Sequence, residues 1–474
     1  VRQLTGLDDA FLALEGPTTP LHVTSLVVLD GASLPDGFGY ERVRDLVAAR
    51  TAGIPQFREV LQLVPLGLDH PYWRVDDHFD VEFHVRHSAV PAPGDDRSLA
   101  EVVARLHSRP LDRARPLWEM YVIDGLAGGD VGILTKMHHA AIDGVAGIEL
   151  ATVLLDTAPD GHLHREPAPA LAGERQPGMP MMLARGARGV FRVPQRTARS
   201  LAASARQLPA VGNLASLALP SPLRRRVRGD GGLVDGPSLQ APPTPFNRPL
   251  TAHRRVAWTV LDLDRVKAVK NARGTTVNDV VMAITAGALR QHLLDVDALP
   301  TRPLQAMVPI SVRSDDDDGG NRVTAMVGLV PTHLEDPLER LDWVHGQMRV
   351  AKDNDALPAS MLMDVTAIAP PALAARAARV ATRLRWADQL RLPFNLVVSN
   401  VPGPPVPLYV AGARMKHMIP VSAIHDGLGL NVTIISHEGD VDVGLVSDRE
   451  QVDDLWAVAA MFDAALDELV DAAT

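Results

Sequence analysis

Two stretches of alternating strand-like and helix-like pattern, residues 1–157 and 248–474, flank a middle segment of different composition. Between Arg175 and Gly229 that segment carries 11 arginines and no acidic residue, and the whole of 158–247 is rich in proline and glycine. A structureless loop of this length is unusual inside one compact unit. The break therefore predicts an α/β (α+β) fold of two lobes, 1–157 and 248–474, joined by a 158–247 linker with helical pieces. Arg185, Arg188, Arg192, Arg196 and Arg199 recur at spacings of three and four and would share one helical face, which Pro194 must kink or divide. Such a face suits an anionic membrane or lipid surface. The alternative is a linker helix packed on the chain's own acidic surface.

In the first stretch, His22 to Leu29 is rich in β-branched and apolar residues and ends at Asp30-Gly31. It predicts a strand, as does the alternation of Val81 to Val85. Tyr40 to Ala52 has helical spacing. Ser98 to His107 reads as a second helix, with Ser98 as cap and Glu101 completing a capping box. Val131 to Met137 predicts a buried strand and Val145 to Leu155 a helix. In the second stretch, strands are predicted at 256–263, 304–312, 323–330 and 394–401. A hairpin is predicted around Glu438-Gly439-Asp440. Helices are predicted at 276–294, 338–351 and 451–469, and a broken pair between Pro358 and Leu390.

Composition removes several chemistries. The chain has no cysteine, which excludes disulfides, thiolate metal sites and a cysteine nucleophile. A formal charge of −10 argues against a general nucleic-acid binder. Acids interrupt the apolar residues of the first segment, so it does not read as a secretory signal, and no long apolar run predicts a spanning helix. Motifs of serine hydrolases, P-loop proteins and zincins are missing. Asp315 to Asp318 precedes two glycines and reads as a solvated loop rather than a metal site.

The sharpest chemical signal is Met137-His138-His139-Ala140-Ala141-Ile142-Asp143-Gly144, set between the predicted strand and helix. A neutral imidazole is a suitable general base at cellular pH. The carboxylate of Asp143 can fix the local turn, and Gly144 permits a backbone approach that a Cβ would hinder. A purely structural turn is the alternative. A two-histidine metal site is disfavoured, because adjacent side chains in extended backbone point apart and no third ligand is evident.

The histidine segment resembles the HHxxxDG motif of the coenzyme-A-dependent acyltransferase superfamily. Further blocks resemble the bacterial wax ester synthase/diacylglycerol acyltransferase family. They are Leu4-Thr5-Gly6-Leu7-Asp8-Asp9-Ala10-Phe11-Leu12 with Glu15, Arg115-Pro116-Leu117-Trp118-Glu119, Asn278-Asp279, Pro309 to Arg313 with Gly320-Asn321, Ser399-Asn400-Val401-Pro402-Gly403-Pro404, and Gly429-Leu430-Asn431. They follow the family's order across nearly the whole chain. The resemblance implies two chloramphenicol-acetyltransferase-like lobes with a tunnel between them and the histidine motif in the first lobe. It implies an O-acyltransferase that takes a long-chain acyl group from acyl-CoA, a substrate rather than a cofactor, to diacylglycerol or a fatty alcohol. His139 would be the general base, His138 would support the geometry and Asp143 would organise the turn. Asn278 and Asp279 would shape the site, with Asn278 a candidate oxyanion donor. Thr276 with Asp279 also fits an ordinary capping box. The expected location is the cytoplasm, with peripheral contact at the inner membrane or at lipid inclusions. Two other classes stay open: a condensation-type enzyme using carrier-bound acyl groups, and a non-catalytic lipid-binding protein.

Overall fold

The computed structural model describes residues 2–142, 153–161, 171, 178, 180–184, 240–311, 323–353 and 392–473. The first half contains β1 (Arg2–Gln3), β2 (His22–Leu29), β3 (Glu59–Gln62), β4 (Tyr72–Val75), β5 (Val85–Ala89), β6 (Trp118–Asp124) and β7 (Val131–His138). Its helices are α1 (Gly6–Leu14), α2 (Tyr40–Thr51), α3 (Pro55–Arg58), α4 (Val81–His84) and α5 (Asp96–His107). The second half begins with β8 (Arg254–Asp262), α6 (Leu263–Arg273), α7 (Val277–Asp295), β9 (Leu304–Ser311), β10 (Val323–Val330) and α8 (Pro337–Asp353). It continues with β11 (Leu396–Pro402), β12 (Tyr409–Val410), β13 (Ala413–Val421), β14 (Leu430–His437), β15 (Asp440–Asp448) and α9 (Leu455–Ala473).

Two six-stranded sheets dominate, with orders β12-β13-β2-β7-β6-β5 and β10-β9-β11-β14-β15-β8; a small sheet has the order β1-β4-β3. Both large sheets are mixed. The β5–β6, β9–β11 and β11–β14 pairs run parallel and the remaining neighbours antiparallel. The α/β class expected from the sequence is the class observed.

Each face of the first sheet has its own partner. Val27, Ile133 and Met137 pack with Val43 and Val47 of α2. Leu26, Val28 and Leu134 turn the other way and pack with Leu99, Val103 and Leu106 of α5 and with Val256, Trp258 and Val446 from the second half. This division follows from the two-residue period of a strand. The second half is built around α7, whose residues from Asp279 to Leu289 are all buried. A helix apolar on every side belongs in a core, and Val280, Ile284, Leu289 and Leu293 sit there with Leu304, Val432 and Phe462. The halves are joined by β13, which pairs with β2. The buried Arg254 adds a link by donating to the Thr18 carbonyl beside Asp448.

Two sequence expectations are corrected. Val81 to Val85 is not a strand: α4 occupies Val81–His84 and β5 starts at Val85. Asp80 starts the turn by accepting the Glu82 N–H at 3.0 Å. The turn carries the His84 ring inward, where it stacks on Phe79 and Trp118 and donates Nδ1–H to the Trp118 carbonyl at 2.7 Å. The cap of α5 is Asp95 rather than Ser98; its carboxylate accepts the Ser98 N–H at 2.8 Å. Thr276 and Asp279 do form the expected capping box of α7. The hairpin turns at Glu438 and Gly439, both with positive φ. The expected helices at 145–155 (all but its last three residues) and 358–390, the acidic run 315–318 and the Arg185–Arg199 face lie outside the described residues.

Candidate active site

The two histidines leave β7 with their backbones held on both sides. The His138 N–H donates to the Leu117 carbonyl at 3.0 Å, and the His139 N–H donates to the Leu21 carbonyl, also at 3.0 Å. A single 3-10 turn, His139–Ala141, follows. The Pro116-Leu117-Trp118 block thus supplies one of these anchors. Trp118 itself is buried, and its indole N–H donates to the Phe57 carbonyl at 3.0 Å.

His138 is fully buried, and its tautomer follows from its neighbours. Nδ1 accepts the Ala140 N–H at 3.0 Å. The proton of the neutral ring is therefore on Nε2, which faces Glu15 Oε1 at 3.6 Å. Nδ1 gives its lone pair to the Ala140 N–H and Nε2 carries the proton, so His138 has no lone pair to offer a substrate. Glu15 is in turn held by Arg113, whose Nε and Nη2 reach Oε2 at 3.0 and 2.6 Å. Burial tends to raise the Glu15 pKa; His138 and Arg113 outweigh it and hold it at about 2, so the carboxylate is charged.

His139 differs. The residue as a whole is partly buried, and among the described residues its ring nitrogens have no hydrogen-bond partner. Phe11 stacks on it with ring centroids 5.0 Å apart and planes 18° from parallel. Burial, with smaller contributions from His138 and His425, pulls its pKa down to about 3. The imidazole is neutral, so one of its nitrogens carries a lone pair.

The role of the N-terminal segment becomes clear here. Thr5 and Asp8 form a reciprocal capping box that starts α1. Within the next three turns the same helix delivers Phe11 to His139, and its C-cap residue Glu15 faces His138. Sequence reasoning quoted Phe11 and Glu15 as parts of a block without giving them contacts. It missed Arg113, 98 residues from Glu15. It also missed Lys136, whose buried ammonium donates to the Leu106 and Arg109 carbonyls at 2.9 and 2.7 Å and lies 3.6 Å from Glu119. Desolvation lowers the Lys136 pKa to about 8. This ammonium caps the C-terminal end of α5, where a cation is favoured. The one sequence signal for it was a lysine inside an otherwise apolar strand.

Asn278 and Asp279 sit at the start of α7. Asp279 serves the capping box and accepts from His345 Nδ1 at 2.8 Å. Asn278 accepts an N–H from Asn400 at 3.2 Å, which ties two of the motif blocks together. Asp143 and Gly144 lie outside the described residues. Among the described residues, no cluster of three or more histidine or acidic side chains is placed to hold a metal.

Comparison with known proteins identifies the family of the chain. The wax ester synthase/diacylglycerol acyltransferase catalytic domain matches residues 4–281, and the C-terminal domain of the same family matches residues 319–470. A probable diacylglycerol O-acyltransferase of Mycobacterium tuberculosis is 37% identical over 470 residues, covering 98% of each chain. The solved wax ester synthase/diacylglycerol acyltransferase of Marinobacter aquaeolei is 31% identical and superposes with a TM-score of 0.69, with both chains fully covered. The first condensation domain of the calcium-dependent antibiotic synthetase, at 14% identity and a TM-score of 0.55 over all of this chain and 96% of its own, shares the fold. With a histidine turn built as this one is, and matches that run from residue 4 to residue 470, the chain belongs to the wax ester synthase/diacylglycerol acyltransferase family.

Proposed function

We propose that the protein transfers a long-chain acyl group from acyl-CoA to the free hydroxyl of diacylglycerol, giving triacylglycerol and CoA, with His139 as the general base. The observation that carries this reading is the contrast between the two rings: the Nδ1 lone pair of His138 is taken up by the Ala140 N–H, whereas the nitrogens of His139 have no hydrogen-bond partner among the described residues. The free nitrogen takes the hydroxyl proton as the alcohol oxygen attacks the thioester carbonyl. A C–O bond forms, the resulting oxyanion collapses and the C–S bond breaks. The imidazolium then returns the proton to the departing thiolate. No acyl-enzyme is needed, which is consistent with a chain that has no cysteine.

The diacylglycerol acceptor is supported by the mycobacterial relative's name. A fatty alcohol acceptor, giving a wax ester, is the second reading and is favoured by the name of the Marinobacter protein. An acceptor panel separates them. Labelled palmitoyl-CoA is supplied with diacylglycerol, hexadecanol, monoacylglycerol or water, and each product is identified. Triacylglycerol as the main product is expected. Wax ester as the main product would move the assignment to the second reading, and free fatty acid alone would remove both.

The substrates are lipids, so we place the enzyme at an anionic lipid surface, with the arginines between Arg175 and Gly229 as the contact. No helix among the described residues is long and apolar enough to cross a membrane. Co-sedimentation with phosphatidylglycerol liposomes at low salt, lost at high salt, is expected. A protein that stays in the supernatant at low salt contradicts the surface contact.

A further inference from the structure

The carboxylate of Glu15 is tied to both ends of the histidine turn. Its Oε1 lies 3.6 Å from His138 Nε2 and accepts the Leu21 N–H at 3.4 Å. The Leu21 carbonyl in turn accepts the His139 N–H at 3.0 Å. The other oxygen, Oε2, accepts from Nε and Nη2 of Arg113 at 3.0 and 2.6 Å. Arg113 Nη2 also donates to the Leu12 carbonyl, at 2.7 Å, in the last turn of α1. The Glu15 side chain is 7% exposed and that of Arg113 46%, so the acid is inside and its cation is at the surface.

This geometry requires one proton on the His138 ring and not two. Nδ1 accepts the Ala140 N–H at 3.0 Å. A second proton would sit on Nδ1 and meet that N–H donor to donor, and the turn that carries His139 would have to open. A buried carboxylate beside an imidazole favours the doubly protonated ring, unless another cation takes up its charge.

The other titratable groups on this side of the sheet do not supply that cation. His22 is opposite His138 in the β2–β7 register, with Nε2 2.7 Å from the His107 carbonyl. Burial pushes His22 well down and His107 to about 3, and it holds His139 at about 3, so all three rings are neutral. The Lys136 ammonium is engaged by the Leu106 and Arg109 carbonyls and lies 3.6 Å from Glu119, and the Arg254 guanidinium lies 3.7 Å from Asp448.

We infer that Arg113 is a positioning residue for the transfer: by taking up the charge of Glu15 it keeps His138 singly protonated on Nε2, and so keeps closed the turn that presents His139. The inference rests on the reading of His139 as the base. It acts through Glu15 and His138, with no contact to substrate.

The test is the pH profile of kcat with palmitoyl-CoA and diacylglycerol, from about pH 5.5 to about pH 8.5, for the parent, Arg113→Gln, Arg113→Lys and Arg113→Gln with Glu15→Gln. The parent should show no acid limb in this range. Arg113→Gln should gain one with a slope of about tenfold per pH unit, the signature of one proton, with little change in donor KM. Arg113→Lys restores the cation and should abolish the limb. The double variant removes the anion together with the cation and should abolish it too. A merely structural brace would instead lose activity at every pH, most of all in the double variant. An Arg113→Gln profile parallel to the parent's, or a limb that persists in the double variant, overturns the inference.

Nitrogen-15 spectra of ring-labelled histidine read the same step without turnover. At about pH 6, His138 should carry its proton on Nε2 alone in the parent and on both nitrogens in Arg113→Gln. The same His138 spectrum in both proteins overturns the inference even if acyl transfer is intact. If the parent acylates no alcohol and the spectra differ as expected, the role of Arg113 in holding the turn stands and the proposed reaction fails.

Discussion

Replacing Arg50 with alanine should destabilise the protein by about 3–5 kcal/mol, the cost of leaving one member of a buried ion pair without its partner. Arg50, on α2, donates through Nη2 to both carboxylate oxygens of Asp156 at 2.9 and 2.6 Å, and through Nη1 to the Val153 carbonyl at 3.0 Å. Both side chains are buried, at 6% and 7% exposure, so water screens the pair little. Asp156 also exchanges backbone hydrogen bonds with Tyr409, both 2.8 Å long. The pair therefore fixes 153–156 between α2 and β12 of the second half. The thermal midpoint of Arg50→Ala should fall by roughly 3–5 °C. Joint replacement, Arg50→Met with Asp156→Leu, should recover most of the loss, because no charge is then left buried. A midpoint within 2 °C of the parent for Arg50→Ala would contradict this account of the pair.

Local features of the fold were legible from residues that answer to one physical rule. His22 to Leu29 has strand composition and a turn signal, and its boundaries are those of β2. Thr276 with Asp279 marks the start of α7 because the two side chains satisfy each other's backbone N–H groups. The same rule misplaced the start of α5, where Ser98 lost to the Asp95 carboxylate three residues earlier. Val81 to Val85 alternates as a strand does, but the stacking of His84 on Trp118 decides the backbone there. Long-range placement was not legible. Nothing in Ala413 to Val421 announces that it will pair with β2, almost 400 residues away, and complete the first sheet.

The candidate site divides in the same way. His139 could be found because a doubled histidine with a following Asp-Gly between strand and helix is a rare local pattern. The difference between the two rings could not be read, because it depends on tertiary partners. Glu15 and Arg113 occupy one side of His138, and Phe11 lies against His139. A purely structural turn remained an alternative at that level. The proposed catalytic role rests on the His139 ring, whose nitrogens have no hydrogen-bond partner among the described residues.

That role carries the largest expected effect on turnover. Proton transfer by a positioned base contributes about 10²–10⁴-fold. Burial keeps the His139 pKa near 3, so at neutral pH nearly every molecule presents the unprotonated ring. His139→Ala should leave the fold in place, because the ring supports no described side-chain hydrogen bond and loses mainly its stacking on Phe11, worth about 0.5–1.5 kcal/mol. The decisive measurement is kcat for transfer from palmitoyl-CoA to diacylglycerol, made on parent and His139→Ala with acyl-CoA affinity and thermal midpoint recorded alongside. The account predicts a fall in kcat of about 10²–10⁴-fold, with donor affinity essentially unchanged. A folded His139→Ala protein that turns over at the parent's rate would contradict it.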